Sequence, residues 1–146
     1  MAVDTLRFVH YASRLAHHAS RERSEQMSHF RFEDLEIWRL ACELAVECHK
    51  VASRLEEAKM YRYAEQLRAA GLSVSNNIAE GSGSLHHSEF RQFLNVARRS
   101  AFECASMLHV LRKLNVLTEE ETLHLLDRCD EVSRKIMNYA KTLNDA

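Results

Sequence analysis

The sequence predicts an all-α protein: an up-down-up-down four-helix bundle behind an N-terminal extension. Three observations carry this. The 146-residue chain holds no proline and three glycines, so it is poor in the residues that build turns. Four stretches place apolar residues in alternating steps of three and four, the spacing of a helix buried along one face. The intervals between them are short, which makes successive helices antiparallel neighbours. The length suits one domain and buries roughly two-thirds of the unfolded surface.

Residues 1–30 are read as the extension and residues 31–146 as the bundle. Val3, Leu6, Val9 and Leu15 make a thin apolar stripe, and HHASRERSEQMSH is polar linker material. Three readings of this segment stay open: an appended helix, a flexible arm, or a start-site artefact with Met27 as the true start.

The first bundle helix lies in FEDLEIWRLACELAVECHKVASRL. Its buried face is Ile37, Trp38, Ala41, Leu44, Ala45, Cys48, Val51 and Leu55. The second follows a connection near Glu56 to Lys59 and carries Met60, Ala64, Leu67, Gly71, Val74, Ile78 and Gly81 on one seam. The third begins after Ser82 to His87, with Ser84 or Ser88 as its cap. It has the most regular seam of the chain: Phe90, Leu94, Ala97, Ala101, Cys104, Leu108 and Leu111. The fourth follows Asn115 to Leu117. Thr118 and Glu121 have the spacing of a capping box, and the acidic first turn suits the helix dipole. Its seam is Leu125, Cys129, Val132, Ile136, Tyr139 and Leu143.

Composition narrows the function classes. Net charge is −1, so any nucleic-acid footprint has to be local. No run approaches the ~18 apolar residues of a membrane span. The start lacks a secretory apolar core, and no two of the four cysteines are spaced as CxxC. Reduced thiols in a cytoplasmic protein are the expectation.

SVSNNIAEG, residues 73–81, is the chemically unusual stretch. Gln66, Ala69, Ala70, Ser73, Asn76, Asn77 and Glu80 recur at helical spacing beside the apolar seam, each small or able to hydrogen-bond. A phosphate loop would need glycines ahead of a helix and behind a strand; here they follow a helix. A catalytic Asn/Glu pair has no nucleophile or base placed with it. The reading that remains is a polar seam, with Gln66, Ser73, Asn76, Asn77, Glu80 and Gly81 setting register within the bundle or between subunits. Glu80 sits near a helix C-terminus, against the dipole, and calls for a partner such as Arg68, Arg98 or Arg99. Gly81 or Gly83 is expected to end the helix in a left-handed cap.

Arg91, Arg98 and Arg112 align on the third helix, with Arg99 and Lys113 beside them. This is either a phosphate-contacting face or a solvated one, salt-bridged to Glu36, Glu43 and Glu47. Glu121 and His124 have the Glu-x-x-His spacing of di-iron bundles, but the motif occurs once and in a first turn, so it reads as a cap. His17–His18 and His86–His87 are adjacent and diverge on a helix. Cys48, Cys104 and Cys129 lie on apolar seams as small hydrophobes, and His49 points off that seam. No metal, cofactor or catalytic residue is assigned. Trp38, Tyr61, Tyr63, Phe90 and Phe93 are expected in the core, with Trp38 or Phe102 as partner anchors if exposed.

FEDLEIWRLACEL, QLRAAGLSVSNNIAEGSGS and SEFRQFLNVARRSAFECASML, within residues 30–143, resemble the four-helix-bundle family of 23S rRNA intervening-sequence proteins. The accessory variability determinant proteins of diversity-generating retroelements resemble the same family. The resemblance implies a small cytoplasmic bacterial protein, a left-handed bundle, no known enzyme activity and a homopentameric ring. In the retroelement members the ring binds a reverse transcriptase and nucleic acid through a basic outer surface. The family often carries a proline shortly before its asparagine; here Val74-Ser75-Asn76 lets the helix run straighter. The expected function is a non-enzymatic oligomeric scaffold engaging RNA or an RNA-processing protein. The alternative is a protein-only assembly or adaptor module.

Overall fold

A computed structural model describes residues 28–143. The reading of residues 1–30 as arm or helix lies almost wholly outside them. A short 3-10 turn, Arg31–Asp34, leads into α1 (Glu36–Glu57), α2 (Tyr61–Ser82), α3 (His87–Lys113) and α4 (Glu119–Thr142). Among the described residues there is no strand. Each helix packs on the next and α4 closes back on α1, so the up-down-up-down bundle is complete.

The seams explain this closure. All seven residues of the α3 seam are buried, as are Ala64, Leu67, Gly71, Val74, Ile78 and Gly81 on α2. Burying apolar surface at about 25 cal/mol per Å² is what holds helices of this length together. The contact between α4 and α1 is the thinnest of the four. Ion pairs run along it, Lys135–Glu36 at 2.6 Å, Arg54–Glu121 at 2.5 Å and Arg128–Glu43, and His124 Nε2 lies 3.5 Å from Glu47. Glu36, Glu43 and Glu47 of α1 therefore face α4, not the α3 arginines.

The helix ends differ from expectation in an instructive way. No glycine among the described residues has positive φ, and Gly83 closes α2 at φ −81°. The left-handed positions are Lys59 (φ 60°) and Asn115 (φ 57°). At each, two backbone bonds wrap the end: Lys59 N to Glu56 O and Met60 N to Leu55 O after α1, Asn115 N to Arg112 O and Val116 N to Leu111 O after α3. These are Schellman closures, and Met60 and Val116 fold back onto the core as the motif requires. At the start of α3 the cap position is His86, with no side-chain bond, so neither Ser84 nor Ser88 caps it. The Thr118–Glu121 capping box is present in both directions.

Candidate interaction surface

The polar stretch on α2 divides into an inner and an outer part. Gly81 is buried against the start of α3. A Cβ there would stand 2.5 Å from Phe93 Cβ and 2.6 Å from Phe90 Cδ2. One seam-length earlier, a Cβ on Gly71 would lie 3.0 Å from Cys48 Cβ on α1. Both glycines permit close helix approach, which explains why the helix tolerates a residue that costs about 1 kcal/mol against alanine. Ser73 shares a hydrogen bond with Ser100 of α3 at 2.8 Å. Asn77 donates back to Ser73 O at 2.7 Å and to Ser73 Oγ at 3.0 Å. Ser73, Asn77 and Gly81 thus set the α2–α3 contact inside one chain.

Gln66, Asn76 and Glu80 form the outer part, exposed to solvent. Glu80 makes no ion pair among the described residues. Arg68, one expected partner, pairs with Glu56 at 2.5 Å and also donates to His49. The guanidinium holds the Glu56 carboxyl below its usual range. Another expected partner, Arg98, donates to Ser133 at 3.2 Å and stacks over Phe102, 5.0 Å from the ring centroid. The end of α2 is instead met from outside: Arg31 reaches Ser82 O at 3.4 Å and lies over the Phe90 ring. A cation there suits the helix dipole.

The aligned arginines of α3 turn inward to α4. Arg91 donates to Leu143 O, Arg98 to Ser133, and Arg112 faces Glu119 at 3.8 Å. Arg99 and Lys113 are exposed and make no ion pair among the described residues. Sequence spacing aligned the arginines correctly but could not say which neighbour the shared face meets.

The aromatic residues also divide. Phe90 is buried edge-on to Tyr139 at 5.8 Å, and Trp38 is half-buried against Phe32 at 4.8 Å. Tyr61 and Tyr63, expected in the core, are exposed, because both fall off the Ala64–Leu67 seam.

Large apolar side chains also point outward on two faces. On the α1–α2 face, Val46 is 54% and Leu72 53% exposed; on the α3–α4 face, Phe102 is 57% and Leu123 56% exposed. Val46 and Leu72 border an apolar groove of about 340 Å³ floored by Cys42, Ala45 and Ser75. Phe102 borders a smaller groove of about 270 Å³ with Ala105, Leu126 and Asp130. Phe102 is exposed, the condition the sequence reading set for a partner anchor; Val46, Leu72 and Leu123 escaped that reading because each sits outside its helix's heptad seam.

Among the described residues no group of three or more His, Cys, Asp or Glu side chains could hold a metal, and no helix is long and apolar enough to cross a membrane. All four cysteines are free thiols. A bond to Cys48, together with burial, raises the Cys104 thiol, and burial pushes Cys129 up to about 12. These thiols behave as core hydrophobes.

The sequence profile of the 23S rRNA-intervening sequence protein family matches residues 33–138. No curated protein matches the chain. A solved protein of unknown function from the S23 ribosomal protein family of Bacteroides thetaiotaomicron is similar in fold. It has a TM-score of 0.69 and 23% identity, over 72% of this chain and 98% of that one.

Proposed function

The chain belongs to the 23S rRNA-intervening sequence protein family, and from that premise we propose that it is a non-enzymatic scaffold that works as a cytoplasmic homo-oligomer. The observation that supports this is the set of outward apolar side chains, Val46, Leu72, Phe102 and Leu123. The core is complete without them. Single exposed apolar residues are ordinary, but a pair flanking one groove, as Val46 and Leu72 do, is what an association surface looks like. Exposed Gln66, Asn76 and Glu80 on α2 would supply the polar rim. The family resemblance sets the expected form as a ring of five copies.

RNA, or a protein that processes RNA such as a reverse transcriptase, is the proposed partner class. Arg99 and Lys113 favour it, as exposed cations with no ion pair among the described residues. Arg91, Arg98 and Arg112 contribute to the bundle first.

Light scattering on the full-length chain tests the scaffold reading. A native mass several times that of one chain, stable on dilution to low micromolar concentration, is expected. A monomer across that range would overturn it.

A further inference from the structure

We infer that copies of this chain associate head to tail, with Phe102 of one copy seated in the α1–α2 groove of the next. The inference rests on the oligomer reading above and names the surfaces it uses.

The two outward apolar features lie on opposite sides of the molecule. The order of packing around the bundle puts the α1–α2 pair on one side and the α3–α4 pair on the other. Both sides carry a groove, but different side chains border them. On the α1–α2 side Val46 and Leu72 flank an apolar channel over Cys42 and Ala45. The α3–α4 side projects an aromatic ring, Phe102, held from behind by the Arg98 guanidinium. A two-fold dimer buries the same patch twice, so it would leave one of these features in water. A head-to-tail contact buries both, and repeats until a ring closes. An aromatic anchor entering a preformed apolar recess is the usual centre of such an interface.

Charge agrees with this pairing. Arg39 and Lys50 lie seven and four residues from Val46, on the same side of α1, exposed and without ion pairs among the described residues. Across the proposed contact, Asp127 and Asp130 lie four and seven residues from Leu123. Asp127 is exposed and unpaired among the described residues, and Asp130 shares Arg134 at 2.6 Å. The cationic rim of the groove therefore meets Asp127, the unpaired acid near Leu123, which favours this orientation over like-on-like contact.

Cys42 in the groove makes the test direct. Full-length Ser106→Cys, exposed on α3 one turn from Phe102, is oxidised with diamide at mildly alkaline pH, because burial raises the Cys42 thiol. Denaturing gels without reductant should show a ladder of linked copies rising to the native assembly, lost when Cys42→Ala is added. Products that stop at two copies, or that persist without Cys42, would overturn head-to-tail pairing. As a second measurement, Leu72→Glu should lower the native mass to that of one chain, while Leu85→Glu, in the exposed α2–α3 connection, should not. An assembly whose mass ignores Leu72→Glu and Phe102→Ala would overturn this interface and leave the oligomer reading standing. A wild-type monomer would overturn both.

Discussion

At Gly81 the α2 backbone comes so close to Phe93 and Phe90 that a methyl group has nowhere to go. The nearest atom is the Cβ of Phe93, which cannot swing aside as a side-chain tip would. Gly81→Ala must push α2 from α3 or force both rings off their rotamers. Overpacking of this kind costs about 1–3 kcal/mol, partly offset by the ~1 kcal/mol that alanine gains in a helix. Gly71 differs in degree: the contact is 3.0 Å, to Cys48 Cβ. Chemical denaturation should therefore rank the variants, with Gly81→Ala losing up to about 2 kcal/mol and Gly71→Ala less. Equal midpoints for the two would show that the α2–α3 approach is not set by the glycine. The sequence showed that SVSNNIAEG was unusual, and why glycine mattered within it. It could not separate inward Ser73, Asn77 and Gly81 from outward Asn76 and Glu80. Neighbouring stripes on a helix differ by a rotation smaller than the uncertainty in where the next helix packs.

Among the elements, the seams were legible because a heptad spacing leaves little choice of buried face. Burial of Phe90, Leu94, Ala97, Ala101, Cys104, Leu108 and Leu111 needed only the spacing. Ala52, Ala70, Ser75, Ser100 and Ser133 are buried too, though they flank the seams. Small side chains sink where two helices converge, and that depends on the partner. The caps were less legible. Glycine is favoured at left-handed positions without being required, and Lys59 and Asn115 occupy them because the backbone closure and the apolar contacts of Met60 and Val116 outweigh the local strain. The α4 start shows an element serving two others. Glu121 closes the capping box on Thr118 and also binds Arg54 of α1, which itself donates to Val116 O. The Thr118 backbone bond, then Arg54, hold its carboxyl below the usual range. A depressed carboxylate contributes above its unfolded pKa of about 4.3, and the contribution is lost as pH falls through the lowered value. Glu121→Gln, which keeps a cap acceptor but removes the charge, should flatten the acid limb of a melting-temperature profile below about pH 5. Thr118→Ala should instead lower stability by about 1 kcal/mol at neutral pH. An acid limb unchanged by Glu121→Gln would mean the α1–α4 contact does not depend on this charge.

For the whole molecule, the question is how a chain of net charge −1 could hold a polyanion at all. One copy offers Arg99 and Lys113, and two phosphate contacts give a salt slope of only about −1.4 on single-stranded RNA. A closed ring changes the arithmetic. In the proposed ring of five copies there would be ten such cations, and simultaneous contact would steepen the slope toward about −7. Affinity rises through effective concentration with no new contact. RNA binding should thus follow assembly. Titration of the full-length protein against structured ribosomal RNA should show binding that falls steeply with salt. It should weaken strongly both in Arg99→Ala/Lys113→Ala and in the Leu72→Glu monomer. Arg91, Arg98 and Arg112 are unsuitable probes, because each contacts α4 and its loss would disturb the bundle as well as any RNA. If the intact assembly binds no RNA even at low salt, the two exposed cations are solvated surface. The scaffold would then hold proteins together and have no part in gripping nucleic acid.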